Sequence, residues 1–151
     1  MLRRIIAFDQ DEVGDWRAHL ECRHRQHVRH QPLFRLAPWV ESAEGRAAHL
    51  GRTLDCPLCD RCELPDGLTL VRTTATWDEH SLPAGLRRDH RVASGVWGRI
   101  VVHHGTLRFA AATDPPTDVI LTAGDPQPIP PDVPHHVEPH GEVRFAVEFW
   151  E

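Results

Sequence analysis

The sequence predicts a mainly β protein in two parts: a small α+β domain of zinc-knuckle type, then a β sandwich or barrel. Three observations carry this expectation. All four cysteines fall within residues 1–62. Residues 68–151 are short apolar runs broken by glycine and proline, the pattern of short strands joined by tight turns. Between them "ELPDG", residues 63–67, is turn-like and reads as a linker. At 151 residues the chain suffices for one ordinary domain or two small ones.

In the first part "RRIIAF" and "DWRAHLEC" flank "DQDEVG", which reads as a β-hairpin with a glycine-containing loop. "ESAEGRAAHLG" reads as a helix: Ser42 is placed to cap it, Ala47, Ala48 and Leu50 favour it, and Gly51 can end it. Gly45 weakens that helix. In the second part "LTLVRTTATW", "VWGRIVV", "TLRFAA", "TDVILT" and "EVRFAVEFW" read as strands. "HHG", "TDPP" and "AGDP" read as the turns between them.

The formal charge of −5 gives no overall attraction to nucleic acid or to an anionic membrane. The N-terminus has two arginines but too few apolar residues after them for a signal peptide, and no run approaches the ~20 apolar residues of a membrane span. The expectation is a soluble, cytoplasmic protein without nucleic-acid or membrane partners. In that compartment cysteines serve as metal ligands or reduced thiols rather than disulfides.

"CPLC" supplies Cys56 and Cys59 at knuckle spacing, able to grip one tetrahedral zinc. Cys22 and His24 lie upstream in "ECRHRQHVRH", with His27 and His30 as alternative histidines and Cys62 as a further thiol. A domain of ~60 residues often needs such a metal to hold together. A redox pair or two buried thiols would be the simpler account of an isolated Cys-x-x-Cys. These segments, with "PWV" and "EGRAAHLG", resemble a small bacterial family of unknown function over residues 4–61. That family carries Cys-Gly-His, Gln-His-Val-Arg-His and Cys-x-x-Cys. This chain departs at Arg23, where the family has glycine, which puts the turn between Cys22 and His24 in question.

His90 and His135 are separated by several expected strands, the layout of a cupin, a jelly-roll barrel. Gly124, Pro130, Asp132 and His135 follow the spacing of the second cupin motif, with aspartate in place of its second glycine. The first motif is degenerate, keeping a turn glycine at Gly105. On an extended segment His135 and His136 face opposite ways, and the motif spacing turns His135 inward. Glu148, in the apolar strand "RFAVEFW", is either a rim residue or a third metal ligand beside His90 and His135. Such a set suits Zn, Fe, Ni or Mn. "RRDHRVASGVWGRIVVHHGTLRF" and "PPDVPHHVEPHGEVRFAVEF" resemble the tellurite-resistance-associated cupin-like domain over residues 68–151. His90, Gly95, Trp97, Gly98 and His135 carry over; Val92 and Ala93 stand where that family often has Thr-Lys. These 151 residues contain no Gly-rich βαβ unit for S-adenosylmethionine.

Three functions compete. The resemblance implies a metal-binding protein of tellurite resistance or stress response, with structural zinc and a second divalent metal, small molecule or oxyanion in the barrel. A small cupin dioxygenase or isomerase would need His90, His135 and Glu148 to converge. An adaptor would dock through the Arg/His face around Cys22–His30. The apolar C-terminal strand either pairs across a homodimer or closes the barrel.

Overall fold

The computed structural model describes every residue, Met1–Glu151. The chain divides into two compact units, Met1–Cys56 and Pro57–Glu151. The residues just after Cys56 belong with the second unit because they bond into it: the Asp114 amide donates to Asp60 Oδ1 at 3.0 Å.

In the first unit, strands β1 (Leu2–Gln10) and β2 (Trp16–Leu20) form the expected hairpin, paired from Gln10–Trp16 back to Ile5–Leu20. Asp11 shapes the connection, its Oδ1 accepting from the Val13 and Asp15 amides at 3.0 and 2.9 Å. Strands β3 (Arg25–His27) and β4 (Thr53–Asp55) flank them, giving the order β3-β2-β1-β4. Ile5, Ala18 and Leu20 are buried from this sheet, joined by Val28 and Val40.

Helix α1 spans Ala43–His49, and Ser42 caps it by accepting from the Gly45 amide at 3.0 Å. The sequence reads Gly45 as a weakness, but the position has no room for a side chain. A Cβ there would overlap the Trp39 carbonyl oxygen. Trp39 stacks flat on His49, with ring centroids 3.7 Å apart and planes 9° from parallel.

The second unit opens with the single turn α2 (Pro57–Asp60). It ends in a Schellman closure: the Cys62 amide donates to the Cys59 carbonyl and the Glu63 amide to the Leu58 carbonyl. Cys62 takes the left-handed conformation there, with φ of 52°.

Six strands follow: β5 (Leu70–Thr73), β6 (Trp77–Asp78), β7 (Trp97–Ala111), β8 (Thr117–Thr122), β9 (Gln127–Ile129) and β10 (His135–Trp150). The long antiparallel pair β7–β10 is the spine. β5 and β6 flank β10, while β8 and β9 flank β7, in one six-stranded sheet. The sheet curls into a half-barrel.

"HHG" is not the turn its composition suggests. His103 is an extra residue in a β-bulge, since Arg144 pairs with His104 and Phe145 with Val102. The extra residue reverses the alternation, so Ile100 and Val102 before it and Leu107 and Phe109 after it all face the core. Gly105 has φ of 72°, and a Cβ there would overlap the Glu142 carbonyl oxygen. β9 lies inside the proline-dense stretch, where composition gives no strand signal.

Candidate metal centre and histidine cavity

The tight turn after β2 presents Cys22 and His24: the Arg23 amide donates to the Leu20 carbonyl, and the Leu20 amide to the His24 carbonyl. Arg23 adopts φ of 74°, the conformation a glycine would take, so the turn survives the substitution. Cys56 follows β4, and α2 continues from it to Cys59. The ligand atoms of Cys22, His24, Cys56 and Cys59 all lie within 4.8 Å of one another, and all four residues are buried.

His24 Nδ1 is 3.6 Å from Cys22 Sγ and 3.3 Å from Cys56 Sγ, and those sulfurs are 3.9 Å apart. A four-coordinate ion with bonds of ~2.3 Å to sulfur and ~2.0 Å to nitrogen has S···S edges of about 3.8 Å and N···S edges of about 3.5 Å. These three edges match a tetrahedral metal ion, and Cys59 is close enough to supply the fourth ligand. The chain has no disulfide; the 3.9 Å gap far exceeds the ~2.05 Å of a disulfide bond. Burial works against protonating His24, but the hydrogen bonds and charge of Cys22 and Cys56 outweigh it and hold the ring's pKa up at about 9. A metal cation supplies the same positive charge to the same sulfurs.

The structure separates the alternative histidines from this cluster. His27 pairs with Asp11 at 2.7 Å, and His30 Nδ1 accepts from the Ala37 amide at 3.1 Å. The Cys62 thiol lies 3.9 Å from Thr117 Oγ1, and burial pushes its pKa up.

In the second unit His90 and His135 meet. Their backbones exchange two hydrogen bonds, at 3.0 and 2.9 Å, and their rings lie 4.1 Å apart between centroids. Asp132, in the place of the motif glycine, has φ of 61° and donates its amide to the Val92 carbonyl, tying the two histidine segments together. Both rings line a cavity of about 120 Å³ on the inner face of the sheet, walled mainly by apolar side chains including Trp77, Ile100, Phe145 and Phe149. His135 is 2% exposed, and burial drives its pKa down to about 4. As expected, His136 faces the other way, bonded to Asp89 Oδ1 at 2.8 Å.

Glu148 is not brought to these histidines. Phe145, Val147 and Phe149 line the cavity, and Glu148 lies on the opposite side of β10. There it pairs with Arg99 at 2.7 Å and accepts from Trp150 Nε1 at 3.2 Å. It is the ion-paired outer residue rather than a third ligand, and the set of two histidines and one carboxylate is not assembled.

These features define a mainly β protein with a buried Cys₃His cluster and a separate histidine-lined apolar cavity. The model of the TehB-like domain matches residues 72–147, and the chain belongs to that family. A second model, described as a protein of unknown function (DUF3565), matches residues 6–63 and so contains all four cluster residues. The uncharacterized protein YeaR of Escherichia coli K12 is 25% identical over 97 residues, covering 58% of this chain and 82% of YeaR. A crystal structure of an E. coli K12 protein superposes with TM-score 0.54 at 23% identity, covering 59% of this chain and 87% of that one. TehB from Haemophilus influenzae superposes with TM-score 0.51 at 22% identity, covering 56% of this chain and 32% of TehB. At these identities the two structures show the fold alone.

Proposed function

We propose that this is a zinc-held, cytoplasmic ligand-binding protein of tellurite resistance or a related stress response. The zinc is structural, and the curled sheet is the binding module. The observation that carries the first half is the convergence of three thiols and one imidazole within 4.8 Å, with the Cys22–His24–Cys56 edges at tetrahedral spacing. Four protein ligands leave no open position for substrate, which favours structure over catalysis. Thiolate ligands suit a reducing compartment. The association with tellurite rests on membership of the TehB-like family.

The barrel is read as a binding module because two histidines without Glu148 fall short of the facial triad an iron dioxygenase uses. The test is elemental analysis of protein purified without a metal-affinity tag. One zinc per chain is expected, lost in the C56S/C59S variant and retained in His135→Ala. Wild-type protein without zinc, or zinc that survives C56S/C59S, would remove the structural site. A second metal that departs with His135→Ala would revive the enzyme reading.

The adaptor reading has one observation of its own. Leu33, Phe34 and Leu36 are 97%, 90% and 79% exposed on the loop that follows His30, with Arg29 and Arg35 beside them. Exposed apolar side chains next to the Arg/His stretch of Cys22–His30 support reading this surface as a docking face. If it serves one, L33S/F34S releases a co-purifying partner without loss of zinc.

A further inference from the structure

We propose that the cavity at His90 and His135 takes a small uncharged molecule with a compact apolar body and an O–H or N–H donor, and does not take an oxyanion. This rests on the reading of the sheet as a binding module and names the chemistry of what it binds.

The volume sets the size. About 120 Å³ is somewhat less than the ~150 Å³ of an engineered apolar cavity that holds benzene. A ligand of roughly four to six non-hydrogen atoms fits. The walls set the body: apart from the histidines and Arg91 they are apolar, drawn mostly from β6, β7, β9 and β10, with Ile129 and Phe145 among them. Burying a charge among them without compensation is costly. Arg91 is the one permanently charged side chain in the lining, and it is exposed.

The histidines set the polar group. His135 Nδ1 lies 2.8 Å from the Val133 carbonyl and His90 Nδ1 lies 3.0 Å from the Arg88 carbonyl. A carbonyl only accepts, so each Nδ1 carries the hydrogen, and in that tautomer a neutral ring keeps its lone pair on Nε2. Neither Nε2 is hydrogen-bonded within the chain. Two adjacent acceptors in an apolar cavity call for a donor. An oxyanion brings lone pairs of its own and would face them directly.

The test uses the full zinc-loaded chain and three probes: isobutanol, isobutyrate and tellurite. Histidine ring resonances are followed by NMR. Isobutanol is expected to shift both His90 and His135 with a dissociation constant on the order of 1 mM, the scale of a five-atom ligand. Isobutyrate and tellurite are expected to bind at least about tenfold more weakly. Val147→Phe, which fills the cavity from a half-buried position, is expected to abolish the isobutanol shifts. Tighter binding of isobutyrate or tellurite, with shifts at both rings, would overturn the ligand class while leaving the binding module standing. No ring shift with any probe would overturn both. The ring shifts of the unsubstituted chain decide the matter even if Val147→Phe does not fold.

Discussion

Arg23 and Asp132 share an unusual position. Each stands where a family motif has glycine, and each holds the left-handed conformation that glycine adopts freely. An ordinary side chain costs about 1–2 kcal/mol there, less for aspartate, whose short polar side chain suits it. Arg23→Gly is therefore expected to raise stability by about 1 kcal/mol in urea unfolding, with metal content unchanged. A loss of stability would mean that the guanidinium contributes more than the turn costs. His135 makes a second prediction at this scale. Its folded pKa is about 4 against an ordinary 6.5, so the unfolded chain binds the extra proton between those values. Stability should fall as pH drops from 6.5 towards 4, by about 3 kcal/mol in all. His135→Leu should flatten that dependence in urea midpoints collected across the same range. Residue chemistry of this kind was readable in part. Motif spacing turned His135 inward and His136 outward. The same period-two logic, applied to "RFAVEFW", sets Glu148 opposite Phe145 and Phe149, and its outer position was within reach of the sequence.

The elements were legible where local signals agree with tertiary packing. The hairpin followed from apolar runs around a glycine loop, and the helix from its Ser42 cap. Ser42→Ala should cost about 1 kcal/mol, measured by thermal or urea unfolding. Continuity of the long strands was not legible. "HHG" has the composition of a turn, yet β7 runs through it, because β10 pairs on both sides of the bulge. A bulge is set by the partner strand, which local sequence does not reveal. Gly105→Ala tests this directly. The left-handed backbone and the clash with Glu142 should together cost about 2 kcal/mol or more, lowering the urea midpoint. A neutral result would mean that the bulge relaxes without disturbing the sheet. β9 escaped notice for the opposite reason: its single proline, Pro128, sits on a short flanking strand where the loss of one amide donor is tolerated.

At the scale of the molecule, the sequence puts the boundary at residues 63–67, after the last cysteine, whereas the compact units divide between Cys56 and Pro57, so that Cys59 and Cys62 lie in the second. Which histidine joins the thiols was not legible. His24, His27 and His30 are equally good ligands by type, and only the turn after β2 and the pairing of His27 with Asp11 separate them. If the cluster holds a metal ion, removing it with a chelator should destabilise the first unit by about 4 kcal/mol where the free ion stands a thousandfold above its dissociation constant. Limited proteolysis should then cut residues 1–56 first. Equal resistance of both units after chelation would argue that the metal holds nothing together. The cluster also has a consequence for synthesis. His24 and Cys56 lie 32 residues apart. At translation rates of about 5–20 residues per second, a growing chain carries the Cys22–His24 pair for roughly 2–6 s before Cys56 is made. In that interval the pair is an open two-ligand chelate competing for whatever metal the cell offers, and the ion becomes fully enclosed only when the knuckle emerges from the ribosome.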